Sequence, residues 1–447
     1  MILVLALLLA CNDKPDDSGT PDSGTDGGGT DGGTDGGTDG GAAIEPPGEA
    51  VASSAARETD PDATGDEIHE LTAGDAAFGL DLYRLLAASS SDNLFLSPHS
   101  LSVALAMAWA GAEGETEAQM ASALRFTLPE ERLHTSMNAL DLALATRDEG
   151  LDADEGDGFQ LSIVNQLFGQ TGFAFEAPFL DKLAAHYGAG LRLLDFEAAP
   201  DDNRVLINDW VEAVTADRIV DLLPEGSISS MTRLVLVNAI YFKASWDLPF
   251  DPADTAAEPF TRLDSSTVTV DMMHGLLRSD CATGAGFTLA ELPYAGNALA
   301  MTLILPDEGA FSTVETALSG EVLGEALAAL SPCDLTVALP KFSFRTAFGA
   351  KEALTDLGMV DAFTGSADFS GVSTTEALHI SGVYHQAFIA VDEQGTEAAA
   401  ATAIVEDGTS APPPVTMGLD RPFLFLIRDR PTGAVLFLGR VLDPTAG

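Results

Sequence analysis

Near the C-terminus, four consecutive alanines, Ala398 to Ala401, lie inside Val391-Asp-Glu-Gln-Gly-Thr-Glu-Ala-Ala-Ala-Ala-Thr-Ala403, and this stretch constrains the chain more than any other. By propensity alone the alanines favour a helix. The flanks argue against one. Upstream, His385-Gln-Ala-Phe-Ile-Ala-Val391 is an apolar segment with the pattern of a buried strand. Downstream, Pro412 to Pro414 can neither continue a helix nor take an interior place in a sheet. The alanine run is therefore a long connection between two strands, with Gly395 as a pivot. At a period of two, Thr396, Ala398, Ala400 and Thr402 share one face, and Glu397, Ala399 and Ala401 share the other. The first face is entirely small and uncharged, so it can pass between packed strands without clash. The Glu397 face is expected to stay wet.

The rest of the chain supplies strands and helices for such a sheet. Phe78 to Leu86 carries apolar residues at helical spacing. In Asn93-Leu-Phe-Leu-Ser-Pro-His-Ser100 a short strand ends at Ser97-Pro98, and Pro98 with Ser100 opens the next helix. Leu161 to Phe168 reads as a buried strand. Ile207 to Thr215 reads as an amphipathic helix continued by apolar residues from Ile219 to Leu223. Leu234 to Trp246 is a long apolar strand with one embedded amide, Asn238.

These strings resemble the serpins. Glu393-Gln-Gly-Thr-Glu-Ala-Ala-Ala-Ala-Thr402 is similar to the hinge of the serpin reactive loop in its inhibitory form. Asn93 to Met107 with Ala110 to Thr116 closely matches a family signature. Glu291-Leu-Pro-Tyr294, Met301 to Pro306, Leu339 to Phe344, Leu357-Gly-Met359, Ala367 to Gly371, Asp420 to Asp429 and Phe437 to Arg440 follow in family order. One departure is Ala244, where the family usually has Gly two residues before the tryptophan; only local adjustment is expected. The resemblance runs from about Ala76 to Leu442. It implies one mixed α/β domain with the serpin fold, three β-sheets surrounded by about nine helices, and an exposed reactive loop.

The resemblance also assigns roles. Ser97, Ser100, Asn238 and His385 match the shutter, a hydrogen-bonded cluster beneath the point where the central sheet parts. Trp246 matches the tryptophan at the top of that sheet, where the loop first enters. The hinge comprises Glu393, Gly395, Thr396, Glu397, Ala398, Ala399, Ala400, Ala401 and Thr402. In the family the bait bond lies about fourteen residues beyond the hinge glycine, which points to Thr409-Ser410. Cleavage after Glu406 or Asp407, or at Val405-Glu406, stays open. A small bait residue suits an elastase-like or subtilisin-like serine protease. The implied function is suicide inhibition of serine (or cysteine) endopeptidases by a monomer. The alternatives are a non-inhibitory serpin acting as a carrier or chaperone, and a surface protein working through its acidic tail.

An enzyme is not expected. Ser97, Ser100, His385 and Asp392 offer hydroxyls, an imidazole and a carboxylate, but no Gly-x-Ser-x-Gly elbow accompanies them. His69-Glu70 lacks the second histidine of a zinc helix, and Gly284-Ala-Gly286 lacks the third glycine of a dinucleotide site. No metal or other cofactor is expected. Lys+Arg number 21 against 69 Asp+Glu, a net charge of −48, which repels nucleic acid and anionic headgroups. Between Glu113 and Arg147 the only basic residues besides His134 are Arg125, Arg132 and Arg147, so no heparin-type cofactor is expected.

The N-terminus reads as an export signal. Ile2 to Ala10 is apolar but too short to span a bilayer. Leu8-Leu-Ala-Cys11 resembles the bacterial lipobox, although no basic residue precedes it; the alternative is an ordinary cleaved signal. The expected division is 1–11 signal with lipidated Cys11, 12–67 a disordered Gly/Asp/Thr-rich tether, and 68–447 the folded domain. This places the domain outside the cytoplasm, at a bacterial membrane or cell surface and held by lipid alone. Cys281 and Cys333 are expected to be free buried thiols, although export permits a disulfide.

Overall fold

The computed structural model describes residues 44–147, 160–375, 377–396 and 413–446. The chain begins with β1 (Glu49–Val51), α1 (Gly65–Ser89), β2 (Leu94–Leu96), α2 (Pro98–Trp109), α3 (Gly114–Ala123) and α4 (Glu130–Leu144). It continues through β3 (Gln160–Gln170), α5 (Ala177–Lys182) with a π-helical turn at Leu183–Tyr187, β4 (Leu191–Leu194), α6 (Pro200–Val214) and β5 (Leu234–Ser245). Then come β6 (Ala256–Thr261), β7 (Thr267–Gly284), β8 (Phe287–Pro293), β9 (Leu299–Pro306), α7 (Phe311–Ala317) and α8 (Gly320–Ala328). The last part holds β10 (Ser331–Pro340), β11 (Phe342–Gly349), α9 (Lys351–Asp356), β12 (Gly382–Val391), β13 (Gly395–Thr396), β14 (Pro414–Gly418), β15 (Phe423–Asp429) and β16 (Val435–Val441).

Local chemistry sets several boundaries. Thr64 and Glu67 form a reciprocal capping box at the start of α1. Ser97 caps α2 through the Ser100 amide, with Pro98 at the first helical position, as its sequence predicts. Helix α6 ends at Val214, and Ala216, Asp217 and Asp221 take positive φ. The expected helical continuation is therefore replaced by an irregular excursion. Its apolar residues Ile219, Leu222 and Leu223 are buried in it all the same.

Strands β1-β4-β3-β5-β13-β12-β11 form a seven-stranded sheet, in which β5 also pairs directly with β12. Strands β14-β10-β7-β8-β9-β15-β16-β2 form the second, with β6 on β7. Among the described residues, the 18-residue β7 connects two of the three expected sheets through shared pairings. Residues 267–272 pair with β6 and residues 272–281 with β10, while Cys281–Gly284 pair with β8. One long strand thus fuses two of the expected sheets into a single ladder.

The main core fills the space between the sheets, with Phe95, Phe242, Phe425 and Phe437 fully buried. A second core lies on the other face of the seven-stranded sheet. There Ile207, Trp210 and Val211 of α6 pack on Phe168, Val235, Val237 and Ala239. Both faces of β5 are therefore covered over these residues.

Two expectations need correction. Cys281 and Cys333 are joined in a disulfide, with Cα atoms 5.8 Å apart. The antiparallel register of β7 and β10 brings them together, which a sequence separation of 52 could not reveal. The order also begins well before the expected boundary at residue 68. Residues from Ile44 onward lie against the domain, and position 68 falls inside α1. Composition missed this because the segment is held by hydrogen bonds rather than by buried apolar side chains.

Candidate functional site: the seam of the seven-stranded sheet

The centre of the sheet is a seam between β5 and β12. Val235–Tyr241 pair in parallel with Gly382–Phe388 along most of its length. At the far end the two strands part, and Gly395 and Thr396 stand between them, paired antiparallel to Ser245, Ala244 and Val391. A strand entering from this end would run antiparallel to both neighbours.

Halfway along the seam, three polar residues lie in one cross-strand row. Asn165 of β3 is opposite Asn238 of β5, and Asn238 is opposite His385 of β12. The His385 Nδ1–H donates to the Asn238 carbonyl oxygen, and the Asn238 amide donates to Ser100 Oγ and Asn165 Oδ1. The Ser97 backbone N–H donates to His385 Nε2 at 3.2 Å, and Ser97 Oγ accepts from the Ser100 amide. Ser97, Ser100, Asn238 and His385 are all fully buried. Burial lowers the His385 pKa to about 3, so the ring is neutral and both nitrogens are engaged. Such a histidine has no lone pair to spare as a base. Asp392, on the loop beyond β12, accepts from the Gln394 and Gly395 amides at 2.9 and 3.3 Å. The hydroxyl, imidazole and carboxylate are thus used locally and form no catalytic relay.

The open end is built from aromatic and charged groups. Trp246 stacks on Tyr294 with centroids 4.7 Å apart, and its indole N–H donates to the Asp392 carbonyl at 3.0 Å. Trp246 and Phe250 amides bond the Gln394 and Glu393 carbonyls at 2.9 and 2.8 Å. Thr396 is buried, and its hydroxyl lies 2.8 Å from that of Tyr294, whose phenol burial pushes well up. Glu393 accepts from Lys341 at 2.7 Å and from Thr255 at 2.9 Å. Burial would raise its carboxyl, but these hydrogen bonds outweigh burial and hold it below the ordinary range. Gly395 is required by close approach, since a Cβ there would meet the Ala244 carbonyl oxygen at 2.1 Å. The unusual Ala244 is accommodated on the opposite, core-facing side, where it is buried.

The structure thus brings together Ser97, Ser100, Asn238 and His385, and sets Trp246, Glu393, Gly395 and Thr396 around the open end. Glu397 to Thr402, Thr409, Ser410 and Cys11 lie outside the described residues. Sequence reasoning did not single out Asn165, Tyr294, Lys341 and Thr255. An asparagine inside an otherwise apolar strand was the available signal for Asn165, since such an amide needs a partner when buried. Among the described residues no group of His, Cys, Asp or Glu could hold a metal ion, and no helix is long and apolar enough to cross a membrane.

Comparison with known proteins accounts for this geometry. The family model described as serpin (serine protease inhibitor) matches residues 73–444. The chain is similar to antithrombin-III of Mus musculus, 37% identical over 392 residues, covering 86% of this chain and 84% of that protein. It is also similar to the leukocyte elastase inhibitor of Bos taurus, 36% identical over 387 residues, covering 84% of this chain and all of that protein. The crystal structure of uncleaved ovalbumin superposes with a TM-score of 0.74 at 29% identity, covering 84% of this chain and all of that one. With a family match over most of its length and a sheet whose central seam is already parted at one end, this chain belongs to the serpins, a family of protease inhibitors rather than enzymes.

Proposed function

We propose that this protein is an irreversible inhibitor of serine endopeptidases that traps the acyl-enzyme by inserting its reactive loop into the seam. The observation that carries the reading is the position of Gly395 and Thr396 between β5 and β12, above a directly paired ladder. The next residues are small and uncharged on the face continuing from Thr396, so they suit a strand that must replace that ladder. About ten new ladder bonds at ~0.5–1.5 kcal/mol each supply roughly 5–15 kcal/mol. That is comparable to the stability of a whole domain and sufficient to drag a bound protease. Insertion of a loop as an added strand is an order–disorder switch, in which main-chain hydrogen bonds supply the driving free energy.

The bait bond is Thr409-Ser410, and its small residues favour an elastase-like or subtilisin-like target; a relative named leukocyte elastase inhibitor agrees with that choice. The domain acts as a monomer. It is held outside the cytoplasm by lipid on Cys11 through the Gly/Asp/Thr-rich tether. Incubation with a protease panel tests the reading: an SDS-stable complex, with a released peptide starting at Ser410, supports it. Cleavage without a stable complex points instead to a non-inhibitory carrier. A fragment starting at Asp407 or Gly408 moves the bait bond to an acid-specific target.

A further inference from the structure

Residues 44–64 precede the family match, which begins at residue 73, yet they are bonded to the body along their whole length. At one end the Trp210 indole N–H of α6 donates to the Ile44 carbonyl at 3.2 Å, and Arg192 of β4 pairs with Glu45. Next, Glu49, Ala50 and Val51 pair antiparallel with Leu193, Arg192 and Leu191, closing the edge of the seven-stranded sheet. Ser53 bonds Asp181 of α5, and the Glu58 amide bonds the Ala185 carbonyl of the π turn at 2.9 Å. Arg57 donates to Asn138 and Asp141 of α4, while Asn138 returns a bond to the Glu58 carbonyl at 2.8 Å. Finally, Thr64 caps α1.

The body is shaped to receive this segment. A Cβ at Gly190 would meet the Val51 carbonyl oxygen at 2.7 Å and the Ala52 Cβ at 2.8 Å. A Cβ at Gly48 would meet the Leu193 carbonyl oxygen at 2.5 Å. The backbones approach so closely that only glycine fits on either side.

Helix α6 carries the contact onward to the seam. Trp210 packs edge-on against Phe168 of β3, with centroids 5.8 Å apart. The excursion after α6 crosses to the other side: the Arg218 carbonyl accepts from Arg345 of β11 at 2.8 Å, and Arg218 lies over Phe388 of β12. The Ser227 carbonyl accepts from Tyr384 of β12 at 3.4 Å. A strand can enter the seam only if α6 and the β1-β4-β3-β5 half of the sheet shift away from β12 and β11.

We propose that Ile44–Thr64 is an intramolecular brace that holds the β5–β12 seam closed by fastening the edge strand β4 and helix α6 to α4 and α1. Its consequence for loop insertion rests on the inhibitory reading above; its effect on the closed seam does not. The brace is mostly exposed and held by hydrogen bonds, so it opens locally without unfolding the domain.

The test uses the full chain and amide hydrogen exchange at Val235–Tyr241 and Gly382–Phe388. Gly190→Ala pushes the brace off, because the nearest atoms to its new methyl belong to the brace itself. Arg57→Ala loosens it independently. Ala50→Cys with Arg192→Cys, directly opposed positions, locks it under oxidising conditions and frees it on reduction. The expected result is seam exchange at least about threefold faster in either loosened variant, and slower in the locked one until it is reduced. Seam exchange at the wild-type rate in all of them overturns the brace. Altered exchange without any protease trapping keeps the brace and overturns only the inhibitory function.

Discussion

Asn238 and His385 stand directly opposite each other on β5 and β12, and the hydrogen bond between their side chains crosses the one seam that a new strand would have to open. It holds the two halves of the sheet together while leaving no covalent obstacle to their separation. Asn238→Ala removes three buried side-chain bonds and leaves His385, Ser100 and Asn165 short of a partner. The expected cost is roughly 3 kcal/mol or more, from three buried groups at about 1–3 kcal/mol each when left unsatisfied. Spontaneous loss of inhibitory activity on mild heating should accelerate at least tenfold, read by residual complex formation over time. An unchanged rate would show that the bond is not a latch.

Thr396 is buried against Tyr294 at the open end. An arginine there places a charge where it cannot be desolvated cheaply. Thr396→Arg should remain cleavable by the target while the SDS-stable complex disappears, so cleavage gels and complex gels diverge. Complex formation at the wild-type level removes sheet insertion as the mechanism.

The protonation of His385 makes a pH-dependent contribution of calculable sign. Its folded pKa of about 3 lies below the ordinary value near 6.5, so the folded state resists a proton that the unfolded chain accepts. The stabilisation is fully present above pH 6.5 and is lost as pH falls toward 3. Between pH 7.5 and pH 5 the loss is about 2 kcal/mol. Wild type should therefore lose more stability than His385→Gln over that interval, measured by denaturant melts of each. Parallel curves would place the histidine outside the linkage.

The Cys281–Cys333 bond ties β7 to β10, and β10 in turn holds β14, the strand that follows the loop. Closing a loop of this separation contributes roughly 4 kcal/mol in the chain-entropy model. The double variant Cys281→Ala with Cys333→Ala should melt several degrees lower than wild type, and wild type under reducing conditions should approach it. Identical midpoints would mean that the strand ladder alone sets the stability of this region.

If the native fold is metastable, cutting the loop after Thr409 should raise the melting temperature, because the freed strand completes the sheet. Nicking an ordinary exposed loop leaves stability unchanged or lowers it. A calorimetric scan of intact and cleaved protein decides between the two, and a lower midpoint after cleavage rules out the stored strand.

The sequence by itself determined the elements and the chemistry of the hinge. Continuous apolar runs such as Leu234 to Trp246 dictate a buried strand, Ser97-Pro98 dictates a capped helix start, and the small face led by Thr396 dictates a segment able to enter a sheet. These signals are local, so they survive without knowledge of neighbours. Tertiary structure alone decided which distant residues meet. Asn165 meets Asn238 across 73 positions, Tyr294 meets Thr396 across 102, and Cys281 finds Cys333 across 52, because strand register is settled by packing of whole sheets. The same holds for residues 44–64. Their polar composition reads as a tether, and only the exposed edge of β4, with glycines set to admit a backbone, turns them into part of the fold.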